Sequence, residues 1–195
     1  MTTTWSRRRG HQPTAMSVIA LALVLALTGC VGALDAEELE AELQSRRADI
    51  PSSRALDGAA ELASELGTPE VRVARITFDL PLVTYWVPVA EDATQVESWR
   101  WDGTELTGPG SVPAEAAADL GGRTFTTDDV PALDRTDQLG EEAVVAAALD
   151  GGSVSGILVA DRGDGVRIVV AVRAGADRRQ VVFTRDGDLV GVEDP

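Results

Sequence analysis

The sequence predicts an α+β fold, with helices packed on antiparallel β-sheets, and suggests that a helix-plus-meander unit is used twice. Three observations lead there. Helical apolar spacing gives way to a two-residue period after residue 70. The later strands are separated by Asp-Gly and Gly-Ala turns, too short for the crossovers that parallel strands need. The same order, helix then meander, runs from Asp35 to Leu106 and again from Asp137 to Val192.

In chain order, "DAEELEAELQSRR" reads as a helix, with Asp35 as cap, Glu38 three residues on, and Leu39, Leu43 and Ile50 as its apolar stripe before Pro51. "SSRALDGAAELASELG" reads as a second helix. Leu56, Ala59, Leu62, Ala63 and Leu66 share a face, Gly58 weakens it, and Gly67 ends it. "EVRVARITFDL" and "LVTYWVPVA" follow as strands, and Pro88 marks an edge or a bulge in the second. A third strand, "QVESWRW", runs into a hairpin at Asp102-Gly103.

Gly108, Pro109, Gly110 and Pro113 then read as a hinge-like stretch. Next come a short helix capped by Ser111 and stopped by Gly121, and the extended, turning "RTFTTDDVPALD". "TDQLGEEAVVAAALDGG" reads as a helix with Leu139, Val144, Ala147 and Ala148 on one face. Three or four antiparallel strands close the chain, turning at Asp164-Gly165, Gly175-Ala176 and Asp186-Gly187. Val166, Ile168, Val170 and Val172 share one face of the middle strand. Arg167, Val169, Ala171 and Arg173 take the other, so the sheet is expected to be buried on one side and partly wet on the second. Each helix-plus-meander unit ends in an Asp-Gly turn with an aromatic residue three places before the aspartate, Trp99 before Asp102 and Phe183 before Asp186.

The first thirty residues carry an address. Arg7, Arg8 and Arg9 precede an uncharged apolar run from Ala15 to Leu27, and the run ends in "LTGC". A basic cluster, a short apolar stretch and small residues before a cut have the form of a secretory signal. The run is short of the roughly 20 residues that a spanning helix needs. Leu27, Thr28, Gly29 and Cys30 resemble the lipobox of bacterial lipoprotein precursors. That resemblance implies diacylglycerol on the Cys30 thiol, cleavage before it, and a chain held at the outer face of the cell membrane by two or more acyl chains. Cys30 is the only cysteine, and an odd thiol in an exported chain would otherwise be a reactive liability. The expected organisation is a signal over residues 1–29, a tether over 30–34, N-terminal helices and strands over 35–106, a connecting segment over 107–136, and a C-terminal helix with its meander over 137–195.

Removing the signal takes three of the seventeen arginines and none of the 32 acids, which leaves a formal charge of −18. Such a surface repels nucleic acid, so no nucleic-acid partner is expected. There is no lysine, and the composition resembles that of high-GC actinobacterial proteins. The only histidine, His11, lies within the signal. Histidine-dependent triads, lysine nucleophiles and His/Cys zinc sites are therefore outside the mature chain's chemistry. The helix with "VSGILVADRG", "GVRIVVAVR" and "RDGDLVGV" resembles the PepSY-like, cystatin-like domains of exported bacterial lipoproteins. This resemblance implies an α+β fold and supplies no catalytic motif.

Tyr85, Trp86, Trp99 and Trp101 hold most of the mature aromatic surface. Trp99 and Trp101 share a face and Arg100 opposes them. Packing under the helices is one reading; a binding patch of Trp99, Trp101 and Arg100 is the other. The carboxylates of "DRGDG" (Asp161–Gly165) and "TTDDV" (Thr126–Val130) suit a hard cation in type, but no EF-hand loop is present and Asp-Gly is ordinary turn chemistry. No cofactor or metal is expected. The function expected is non-catalytic binding or regulation by a lipid-anchored envelope protein, with a membrane and an envelope protein as partners. Inhibition of an exported hydrolase and a carboxylate-pair hydrolase are the alternatives.

Overall fold

Helix α1 (Arg54–Leu66) forms where Ala55, Ala59 and Leu62 recur at helical spacing and bury one face. It ends at Gly67, whose φ of 64° lets the chain turn left-handed while Gly67 and Thr68 donate N–H bonds to Ser64 and Ala63. The computed structural model describes residues 53–79, 81–89 and 92–195. The signal, Cys30 and the helix expected over 35–50 lie outside those residues.

Strands β1 (Arg75–Asp79), β2 (Leu82–Val89), β3 (Asp92–Trp101) and β4 (Leu106–Ser111) follow α1 as a meander. A short helix α2 (Ala114–Ala118) and two 3₁₀ turns (Thr127–Asp129 and Pro131–Arg135) lead to α3 (Thr136–Ala147). A second meander comprises β5 (Ser153–Asp161), β6 (Val166–Ala174), β7 (Asp177–Thr184) and β8 (Leu189–Glu193). The fold class is α+β, as the change of period indicates. All eight strands belong to one antiparallel sheet in the order β4-β3-β2-β1-β5-β6-β7-β8. Its seam is the pairing of β1 with β5, where Ile76 faces Val159 and Phe78 faces Ile157.

Register places the core on one face. Ile76 and Phe78 lie beside Tyr85 and Val83, then Trp99 and Trp101. In the other direction Val159 and Ile157 lie beside Ile168 and Val170, then Phe183 and Val181. Ala55, Ala59 and Leu62 of α1 and Leu139, Ala143 and Ala147 of α3 close this layer into a single apolar cluster. Each large aliphatic or aromatic side chain so buried contributes about 1.5–3 kcal/mol. On the opposite face α2 covers only one corner, where Ala117 and Leu120 pack with Ala74, Val96 and Trp86. Val169 and Val182 also lie on that face and are buried, so the face is drier than expected from Arg167 and Arg173 alone.

The two meanders share a detail. Arg54, at the start of α1, lays its guanidinium against Gly103 of the Asp102-Gly103 turn and donates to the carbonyl of Pro81. Arg135, immediately before α3, lies against Gly187 of the Asp186-Gly187 turn and donates to the carbonyl of Asp186 at 2.9 Å. Trp99 and Phe183, the aromatics preceding those turns, are both buried on the core face of the third strand of their meander.

Three local expectations change, and one with two readings is decided. Gly108, Pro109 and Gly110 are not a hinge but the body of edge strand β4, with a cis Gly108–Pro109 bond. An edge strand tolerates a residue without an N–H where an inner strand would lose a ladder bond. Ser111 is the last residue of β4 and does not cap α2, whose N-cap position is Pro113. Pro88 sits on an inner strand at a register shift between β2 and β3, so of the two readings it marks the bulge. Ala148 leaves the buried face of α3, because it ends the helix at φ 50° and is exposed.

Candidate functional site

A groove of about 610 Å³ lies between the C-terminal end of α1, β2, β3 and the 122–124 segment. Its apolar wall is made by Leu66 at the end of α1, Val71 on the approach to β1, Val87 on β2 and Trp99 on β3. Its polar rim carries Glu70, Glu97, Arg72 and Thr124. Arg72 is held in place by Thr124, whose hydroxyl accepts from both Nε and Nη2 at 3.1 Å. Phe125 next to it exchanges two backbone hydrogen bonds with Val73, which fixes the 122–125 segment against the approach to β1.

Trp99 is set by its neighbours. A Cβ at Gly108 would stand 2.7 Å from the indole, so glycine on β4 is what leaves room for the ring. The ring is 7% exposed, and its Nε1–H is buried without a hydrogen-bond partner among the described residues. An unmade bond of this kind costs about 1–3 kcal/mol.

The structure separates the residues that the sequence groups as a binding patch. Trp99 and Trp101 point into the core side, Trp101 half-buried beside α1, while Arg100 is exposed on the opposite face. The two-residue period of a strand dictates this. Trp86 is also on the opposite face, under the guanidinium of Arg75, which lies 4.4 Å from its ring centre. Burial in this stack lowers the Arg75 pKa, and Asp119 nearby opposes the shift.

The two carboxylate clusters do meet. Asp129, Asp161 and Asp164 line a second groove of about 450 Å³ with Arg167 and Arg185. One oxygen of each is already engaged. Asp129 accepts from the Thr126 N–H and hydroxyl, which hold its carboxyl below the usual range. Asp161 accepts from the Gly163 N–H at 2.7 Å, and Asp164 pairs with Arg167 at 2.8 Å. Among the described residues no three His, Cys, Asp or Glu side chains converge as metal ligands.

No single motif could have shown the first groove, because its walls come from four separated segments. Arg54 and Arg135 were equally hidden, since nothing local marks an arginine at a helix start as the partner of a turn some fifty residues later.

No family model and no curated protein matches the chain. Among solved structures, a Clostridium difficile 630 protein described as a "putative lipoprotein" superposes with a TM-score of 0.45 at 11% identity, over 73% of this chain and 93% of that one.

Proposed function

We propose that the chain is an exported protein, lipid-anchored through Cys30 at the outer face of the cell membrane, whose folded part binds a ligand or partner without catalysis. The anchor rests on the coincidence of basic cluster, apolar run and "LTGC". The single observation that carries the binding role is the groove beside Trp99, where apolar Leu66, Val71 and Val87 are combined with polar Glu70, Arg72, Glu97 and Thr124.

A non-catalytic reading is supported by the state of the acids. A carboxylate pair that breaks bonds needs one member held protonated at working pH. Where a described carboxyl clearly departs from its usual pKa, at Asp102 and Asp129, it is pushed toward the charged form by hydrogen bonds to N–H and hydroxyl groups. Neither has the character of a general acid.

The anchor is tested by detergent-phase partitioning. The wild-type chain is expected in the detergent phase and Cys30→Ala in the aqueous phase; unchanged partitioning rejects the anchor. The groove is tested with Nile red, a neutral apolar probe. Binding that Val87→Arg abolishes, with folding retained by circular dichroism, is the expected result, and indifference to that substitution rejects the site.

A further inference from the structure

The sheet has two edges, and they are unlike. On β4, Gly108, Pro109 and Gly110 occupy half the strand, and the ladder with β3 shifts register between Ser98 and Arg100. Proline offers no N–H and glycine no side chain, so this edge resists further pairing. On β8 the sequence is "LVGVE", and no described strand lies on its outer side.

Of the five large apolar side chains exposed among the described residues, three belong to this one five-residue strand: Leu189 at 54%, Val190 at 56% and Val192 at 39%. They are not scattered. Leu189 pairs with Phe183 and Val192 with Val181, both of them fully buried. The apolar layer therefore continues to the rim of the sheet. Val190 is the extra residue of a bulge, skipped by the β7 ladder. Acids flank the strand on both sides, Asp186 and Asp188 before it and Glu193 and Asp194 at its end. Arg162 donates to Glu193 at 3.4 Å, and Arg179 and Arg185 stand 4.0 and 3.7 Å from Asp194 and Asp186, yet all three acid side chains remain more than half exposed.

We propose that β8 is a docking edge for an extended segment of another protein, with apolar residues at alternate positions and Lys or Arg at its ends. Main-chain hydrogen bonds to the free edge would hold it, its inward side chains would cover Leu189 and Val192, and its basic ends would meet the acidic flanks. Charge argues against a second copy as occupant. Two β8 strands paired antiparallel about Gly191 would set Asp194 opposite the partner's Asp188, and like charges directly opposed are destabilising. The proposal goes beyond the groove reading and involves none of its residues.

The test uses the purified full chain in detergent and a capped nine-residue peptide of alternating valine and threonine with arginine at both ends. The expected result is binding at least tenfold tighter than that of the same peptide ending in glutamates, with slowed amide exchange confined to residues 189–193. N-methylation of alternate peptide nitrogens along one edge should weaken binding by at least tenfold without touching the protein. Equal binding of the methylated peptide, protection elsewhere on the chain, or dimerisation through β8 in sedimentation would each overturn the proposal. Nile red binding is read in parallel on detergent-free Cys30→Ala protein, so failure at β8 is distinguishable from failure at the groove.

Discussion

The two meanders solve one packing problem with different materials. The N-terminal one, α1 with β1–β4, fills its layer with Tyr85, Trp99 and Trp101, and makes room for them with glycine. A Cβ at Gly58 would stand 2.5 Å from the Tyr85 hydroxyl and 2.8 Å from the Trp101 ring. The phenol is buried, which pushes its pKa up, as does the charge of Asp57, and it donates to the Ala55 carbonyl at 2.6 Å. In the C-terminal unit, α3 with β5–β8, the strands use Val, Ile and one Phe against Leu139, Ala143 and Ala147 of the helix, and the helix glycine, Gly140, has only Val154 nearby, 3.4 Å from where a Cβ would sit. Large rings with polar tips demand specific gaps and partners. Branched aliphatics demand only volume and alternation.

The largest expected effect tests whether the halves are equivalent despite this. Trp99→Ala and Phe183→Ala, at matching positions of the two third strands, should each cost about 3–5 kcal/mol in chemical denaturation. A loss at Trp99 below 1 kcal/mol would break the equivalence. Next comes the glycine contrast. Gly58→Ala should destabilise by about 1–3 kcal/mol, because backbone-anchored rings must move. Gly140→Ala should lie between neutral and a gain of about 1 kcal/mol from helix propensity. Thermal melts of the two variants side by side decide it. Smaller again is Tyr85→Phe, which removes one hydrogen bond and should cost about 0.5–1.5 kcal/mol with the fold unchanged.

The smallest effect concerns acid. Asp102 Oδ1 accepts from the Thr104 N–H and hydroxyl and from the Glu105 N–H, each at 2.8 Å, and the Glu105 and Thr104 bonds hold its carboxyl below the usual value. A carboxyl lowered in the folded state adds stability that is present above its unfolded value, about 3.9, and is lost as pH falls through the lowered one. Stability curves should therefore steepen below about pH 4, and Asp102→Asn should flatten that limb while leaving the neutral plateau lower by a small constant amount.

This contrast also explains what could be read from the sequence. Alternation and Asp-Gly punctuation made the C-terminal meander legible strand by strand, because its rules are local. Helices α1 and α3 were legible for the same reason. In the N-terminal meander, Gly108-Pro109-Gly110 carry the composition of a break, and only their position at the sheet edge makes them a strand. Val71 and Val73 alternate like strand residues, yet β1 begins at Arg75 and Val73 makes only an isolated bridge to Phe125. Trp99 and Arg100 are adjacent in the chain, but their separation onto opposite faces follows from period alone. The groove was not legible, since it is bounded by Leu66, Val71, Val87 and Thr124, which meet only after folding.

The β1–β5 seam has a kinetic consequence. Every other neighbouring strand pair is a hairpin between consecutive strands, so each can form from chain that is already close by. The seam alone must gather residues about eighty positions apart, a ring closure whose entropy amounts to about 4 kcal/mol on a logarithmic chain-length scale. Only Arg75–Phe78 and Ile157–Ala160 are in register there. Of all the strand pairings, this clasp at the middle of the sheet carries the largest chain-closure cost, and its formation is what joins two local meanders into a single core.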